Sequence, residues 1–161
     1  LHVIHLVTVD DLGHLHRGGR LSKTSAVVGG LLGIKPMIWV DNEGKLNVCG
    51  KVRGRQKAIA QLAERTLREI GDKSQIVRIS HGDCPEDAQK LADLLQEGGV
   101  QSDIRYVGTV IGSHTGPGVL AVFFFGGDRK PEYPLFQTRP RFGKSKAGPS
   151  VSGRTTACSD A

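Results

Sequence analysis

The sequence has no apolar run near the ~20 residues that a helix needs to cross a bilayer. Its longest, Val119-Leu120-Ala121-Val122-Phe123-Phe124-Phe125, has the length of a buried strand. No basic stretch leads into an apolar one at the start, so no signal peptide is visible. The chain begins at Leu1 and not Met, already inside a strand-like pattern, which sets the expectation of a truncated or processed start. Cys49, Cys84 and Cys158 are too few and too irregularly spaced for a disulfide framework or a zinc motif. A reducing cytoplasm is the expected compartment. The histidines form no ligand set either, since His14 and His16, two residues apart, diverge on a helix. No metal and no cofactor are expected. A nucleophile elbow, a G-x-x-x-x-G-K-[ST] loop and a Ser–His–Asp set are missing too. The chain is therefore expected not to be an enzyme.

Acidic residues are in deficit, with 16 Asp/Glu against 22 Lys/Arg and a net charge of +6. Most of that excess is local. Residues 128–161 hold seven Lys/Arg and three Asp/Glu, a net of +4, which leaves the body near +2. That is not the strongly basic footprint of a typical nucleic-acid-binding domain. With 38% hydrophobic and 24% charged residues, the composition is that of an ordinary globular protein, and 161 residues suffice for one domain with a core.

The pattern along the chain predicts strands over 2–9, 35–40, 45–52, 75–80, 103–111 and 119–125. Asp10-Asp11 caps a short helix bearing Leu12 and Leu15, and 22–32 reads as a second helix rich in small residues. Ile59, Leu62, Ala63, Thr66, Leu67 and Ile70 mark the strongest helix, with Glu64 and Arg68 as an i,i+4 pair. Asp83 and Pro85 open another through Ala88, Leu91, Ala92 and Leu95. Strands alternating with helices, plus one hairpin, predict an α/β (α+β) fold: a mixed β-sheet covered by helices over 1–127. Beyond Gly127 no period survives, and a disordered tail over 128–161 is expected.

Three clusters are candidates for function, each with a plain alternative. In His16-Arg17-Gly18-Gly19-Arg20-Leu21-Ser22-Lys23, two glycines permit a tight turn with positive φ, and Arg17 and Arg20 beside a helix start suit an anion. The alternative is a turn between helices with two solvated arginines. Lys51-Val52-Arg53-Gly54-Arg55-Gln56-Lys57 puts four cations at a helix entry, where the dipole disfavours them, so an anion or a partner's carboxylates would explain them; so would simple solvation. Gly112-Ser113-His114-Thr115-Gly116-Pro117-Gly118 fixes an unusual backbone path between two strands. It offers Ser113, His114 and Thr115 to a carboxylate or phosphate. Its alternative is a turn with an incidental histidine. Cys84, near His81, reads as a buried or helix-capping cysteine.

These clusters, together with Gly33-Ile34-Lys35-Pro36 and in this order, resemble the C-terminal lobe of the DegV family over about residues 7–126. The resemblance implies a two-lobed protein that holds one long-chain fatty acid in a tunnel between its lobes. The N-terminal lobe, absent here, would supply a serine and a threonine. It also implies a partner fatty acid kinase, to which the acyl carboxylate is presented for acyl-phosphate formation. His114 matches the family's head-group histidine. Ser113, Thr115, Arg17 and Arg20 are then further ligand candidates, and Arg53 and Arg55 candidates for partner contact. The bound fatty acid is the implied ligand. A nucleic-acid-binding module using the basic clusters and tail is the alternative reading.

Overall fold

The computed structural model describes residues 2–21 and 33–127. The helix expected over 22–32 and the tail expected to be disordered over 128–161 lie outside the described residues.

Six strands form one sheet in the order β3-β2-β1-β6-β4-β5. They are β1 (Val3–Thr8), β2 (Ile34–Val40), β3 (Leu46–Arg53), β4 (Val77–His81), β5 (Ser102–Tyr106) and β6 (Leu120–Phe125). The helices are α1 (Leu12–Arg17), α2 (Arg55–Glu69), α3 (Pro85–Glu97) and α4 (Thr109–Thr115). Every pairing is antiparallel except β4–β5. Two parallel neighbours need a crossover, and α3 is that crossover. The expected mixed sheet with helices is therefore present.

The period-2 alternation of β1 explains the layering. Ile4 and Leu6 join Met37, Trp39, Val77, Ile79, Leu120 and Val122 under α2 and α3, where Ile59, Leu62, Leu91 and Leu95 complete the main core. Val7 faces the other way, towards a smaller cluster of Val9, Leu12, Leu15, Leu21, Ile38 and Val119. On that second face Val3, His5 and Phe123 are half-buried and Phe125 is exposed. The His5 and Phe123 rings meet edge to face at 5.1 Å.

One side chain departs from the helical pattern. Arg65, on the core side of α2, is 2% exposed. Its Nε donates to Glu69 Oε1 at 2.8 Å and its Nη1 to Cys49 Sγ at 3.6 Å. This i,i+4 pair runs Arg65 to Glu69, one position on from the pair expected between Glu64 and Arg68. The guanidinium reaches across to the sheet, whereas an exposed pair would lie along the helix surface.

Burial pushes the Cys49 thiol up to about 11 from 9.0, against the neighbouring Arg65, which lowers it. A thiol harder to ionise folded than unfolded adds stability in full below about pH 9. That stability drains away as pH rises towards about 11. Urea titrations from pH 7 to 11 should show wild type losing more stability than Cys49→Ala over the alkaline part of the range. Parallel curves would contradict the assignment.

Candidate functional site

α1 starts on Asp11, whose carboxylate accepts the Gly13 N–H at 2.7 Å. Its buried Leu12 and Leu15 hold it in the smaller core cluster. The helix ends as a Schellman cap: Gly19 N–H donates to His16 O at 3.0 Å and Arg20 N–H to Leu15 O at 2.9 Å. Gly19 takes the left-handed conformation this cap requires, at φ 69°. Gly18 does not, at φ −75°. The two glycines of Arg17-Gly18-Gly19-Arg20 thus have different reasons to be there. A Cβ on Gly18 would collide with Nδ1 of His114. The first glycine therefore makes room for the imidazole, and only the second makes the turn.

The expected loop 112–118 is half helix. The expected strand 103–111 stops at Tyr106, and α4 occupies Thr109–Thr115 after Gly108. Thr109-Val110-Ile111 looks like a continuing strand because it is β-branched. Gly108 breaks the strand, and two hydroxyls then turn inward on the helix: Ser113 Oγ donates to Val110 O and Thr115 Oγ1 to Ile111 O, both at 2.8 Å. The glycine–proline part of the motif does form a turn, with Gly116 at φ 74° and Gly118 at φ 79°. Gly118 N–H is fixed on Gly82 O at 2.7 Å.

Helices α1 and α4 therefore meet reciprocally. The His114 ring lies against Gly18, and a Cβ on Gly116 would sit 2.6 Å from Cδ2 of His14. The first and third sequence clusters are brought to one place. Arg20 joins them, its Nη1 donating to Gly18 O at 2.8 Å. Arg17 is exposed on the last turn of α1.

A carboxylate only accepts hydrogen bonds, and a hydroxyl has one proton to give. Ser113 and Thr115 have placed theirs on α4 carbonyls. Of the three candidates on this helix, His114 is the one whose donor is not engaged by α4 itself.

The second cluster divides. Arg53 is exposed at the end of β3. Arg55 is a fastener: Nε donates to Asp87 at 2.7 Å, Nη1 reaches Asp10 at 3.4 Å and Nη2 lies 3.4 Å from Cys84 Sγ. This is why a cation is tolerated in the first turn of α2, and it removes Arg55 from the expected free basic patch. Cys84 is buried at the N-cap position of α3, without a side-chain capping bond.

Asp10, which the sequence pattern paired with Asp11 as a helix cap, does not cap α1 and instead receives Lys35 Nζ at 2.7 Å. A signal was present, since two consecutive acids precede α1 and a cap needs only one. The sequence pattern did not mark the exposed apolar side chains Val110 and Ile111, on the same helix as His114, or Tyr106 at the end of β5. Tyr106 tilts over the buried His81 ring at 4.4 Å. Among the described residues no group of three His, Cys, Asp or Glu side chains is placed to hold a metal ion.

Residues 2–126 match the family model described as "Uncharacterised protein, DegV family". The chain belongs to the DegV family. A DegV domain-containing protein of Clostridium perfringens is 47% identical over 130 residues, covering 79% of this chain and 45% of that protein. Among solved structures, the fatty acid binding DegV family protein SAG1342 of Streptococcus agalactiae is 36% identical, with a TM-score of 0.70 over 78% of this chain and 45% of that one. A DegV family protein of Ruminococcus gnavus, refined with vaccenic acid, is 25% identical with a TM-score of 0.64, over 75% and 44% of the two chains. The chain thus spans about half the length, or less, of the DegV relatives it matches.

Gly18→Ala tests the α1–α4 contact. It should cost about 1–3 kcal/mol of stability by overpacking and displace the His114 ring signals in NMR spectra. Alanine tolerated with both unchanged would show that the imidazole does not rest on Gly18.

Proposed function

We propose that residues 1–127 form the C-terminal lobe of a fatty-acid-binding protein and that His114 contacts the acyl carboxylate. The observation that carries this reading is the junction at α4. An imidazole seated on Gly18, with Arg20 folded over the same glycine, lies next to apolar side chains that face water. Val110 is 68% and Ile111 56% exposed. A polar donor at the edge of uncovered apolar surface suits an amphipathic ligand with one anionic end. The Streptococcus agalactiae relative is described as fatty acid binding, and the Ruminococcus gnavus one holds vaccenic acid.

Energetics assign different tasks to the two ends. Each buried CH₂ contributes about 0.8 kcal/mol, so a long acyl chain supplies roughly 10 kcal/mol gross once enclosed. A charge-assisted hydrogen bond contributes about 1.5–3 kcal/mol. The acyl chain therefore sets affinity and His114 sets where the carboxylate stops. Full enclosure needs a second wall, which the longer relatives have the length to provide. In this reading the protein is a non-catalytic, cytoplasmic carrier that presents the carboxylate to a fatty acid kinase. Arg17 and Arg53, both exposed, and Arg20, exposed with one bond to Gly18 O, are the candidate arginines for ligand or kinase. Ser113 and Thr115 would need new rotamers to donate.

The test is titration of the chain with long-chain fatty acids below their micelle concentration. His114→Ala should weaken binding by about tenfold, equivalent to about 1.4 kcal/mol. Adding two CH₂ groups to the acid should tighten binding to wild type and to the variant alike. Unchanged affinity on His114→Ala would sink the head-group role, and indifference to acyl length would sink the lipid assignment.

A further inference from the structure

Asp10 stands at the end of β1, between the strand and the cap of α1, with its carboxylate half-exposed. The cap itself is Asp11, so Asp10 is not required for starting the helix. Its contacts reach elements far apart in sequence. Oδ1 accepts Lys35 Nζ from the start of β2 at 2.7 Å and faces Arg55 Nη1 from the start of α2 at 3.4 Å. Arg55 is held in turn by Asp87 on the first turn of α3 at 2.7 Å. On its other side the carboxylate lies flat against Gly118, where a Cβ would collide with Oδ2.

Gly118 is the last residue of the turn that leaves α4. Its N–H is bound to Gly82 O at 2.7 Å, and Gly82 N–H to Val119 O at 2.9 Å. The turn is therefore held between β4's trailing residue and Asp10, while Gly116, two residues back, lies under the His14 ring. The link from Gly118 back to His114 is short and tied: Gly116 N–H still bonds the helix at Gly112 O, at 2.8 Å, and only Pro117 stands between Gly116 and Gly118. A shift of Gly118 must move the end of α4, and with it the imidazole.

We propose that Asp10 is a positioning residue of this site: clamped by Lys35 and Arg55, its carboxylate braces the 116–118 turn and so sets the His114 imidazole against Gly18. Its bearing on ligand binding rests on the reading of His114 given above; its bearing on the imidazole does not. Lys35, Arg55 and Gly118 come from three separate stretches of sequence and share Asp10 as their meeting point.

The experiment is NMR of the histidine rings at fixed pH in the full 161-residue chain, with signals assigned by single substitutions. Asp10→Asn keeps the shape and removes the charge that Lys35 and Arg55 hold. Asp103→Asn is the control. It removes a carboxylate that pairs with Arg105 on β5 and Arg78 on β4, away from α1 and α4. Asp10→Asn should move the His14 and His114 signals and leave those of His2 and His5 in place, with the circular dichroism spectrum unchanged. Asp103→Asn should leave the His14 and His114 signals in place. Unmoved His14 and His114 signals in Asp10→Asn overturn the proposal. If that variant fails to fold, Lys35→Met loosens the clamp from outside and should move the same two signals by less; no movement there overturns the proposal as well. Fatty acid titration of Asp10→Asn separates the two readings. Displaced signals with a several-fold loss of affinity support both, whereas displaced signals with unchanged affinity support the bracing role and count against His114 as a lipid contact.

Discussion

Helices α1 and α4 approach each other across two α-carbons that carry no side chain. Gly18 receives the His114 ring and Gly116 receives the His14 ring, so each helix supplies both an imidazole and the bare backbone on which the other's imidazole rests. Short helices of six and seven residues have little stability of their own. Their placement comes from Leu12 and Leu15 in the smaller core cluster and from the fixed turn at 116–118. Everything proposed for the site follows from this contact, because it decides which way His114 faces and puts Arg20 over the same glycine.

Much of the scaffold was legible before any coordinates. The apolar spacing of α2 and α3, the hairpin of β2 and β3, and the alternation of β1 and β4 each follow from one period applied to one stretch. The site was legible only in pieces. The 112–118 cluster read as a loop because glycine and proline mark turns and Thr109-Val110-Ile111 favours strands. The decisive bonds, Ser113 to Val110 and Thr115 to Ile111, are local but invisible to periodicity. Gly18 shows the deeper limit. A glycine needed for positive φ and one needed for close approach look the same in sequence, and here they are neighbours. Only the position of His114, about a hundred residues on, tells them apart.

The basic residues divide along the same line. Arg17, Arg20, Arg53 and Arg55 look alike as cations near glycines. Arg55 is spent on Asp10 and Asp87, Arg20 folds back on a carbonyl, and Arg17 and Arg53 remain at the surface. Charge counting therefore does not separate the fastened arginine from the exposed ones. Beside His114 stand Arg20, bonded to Gly18 O, and the exposed Val110 and Ile111 of the same helix. The chain covers 45% of the Clostridium perfringens relative, and exposed apolar side chains such as Val110 and Ile111 are surface that a further part of such a protein can bury.

The most direct test of the account is a nuclear Overhauser measurement between the His114 ring protons and a bound long-chain fatty acid labelled separately at C2 and at its terminal methyl. The account predicts transfer from the C2 protons and none from the methyl, with the methyl close to apolar side chains instead. Transfer from the methyl to His114, with the C2 end elsewhere, would contradict it.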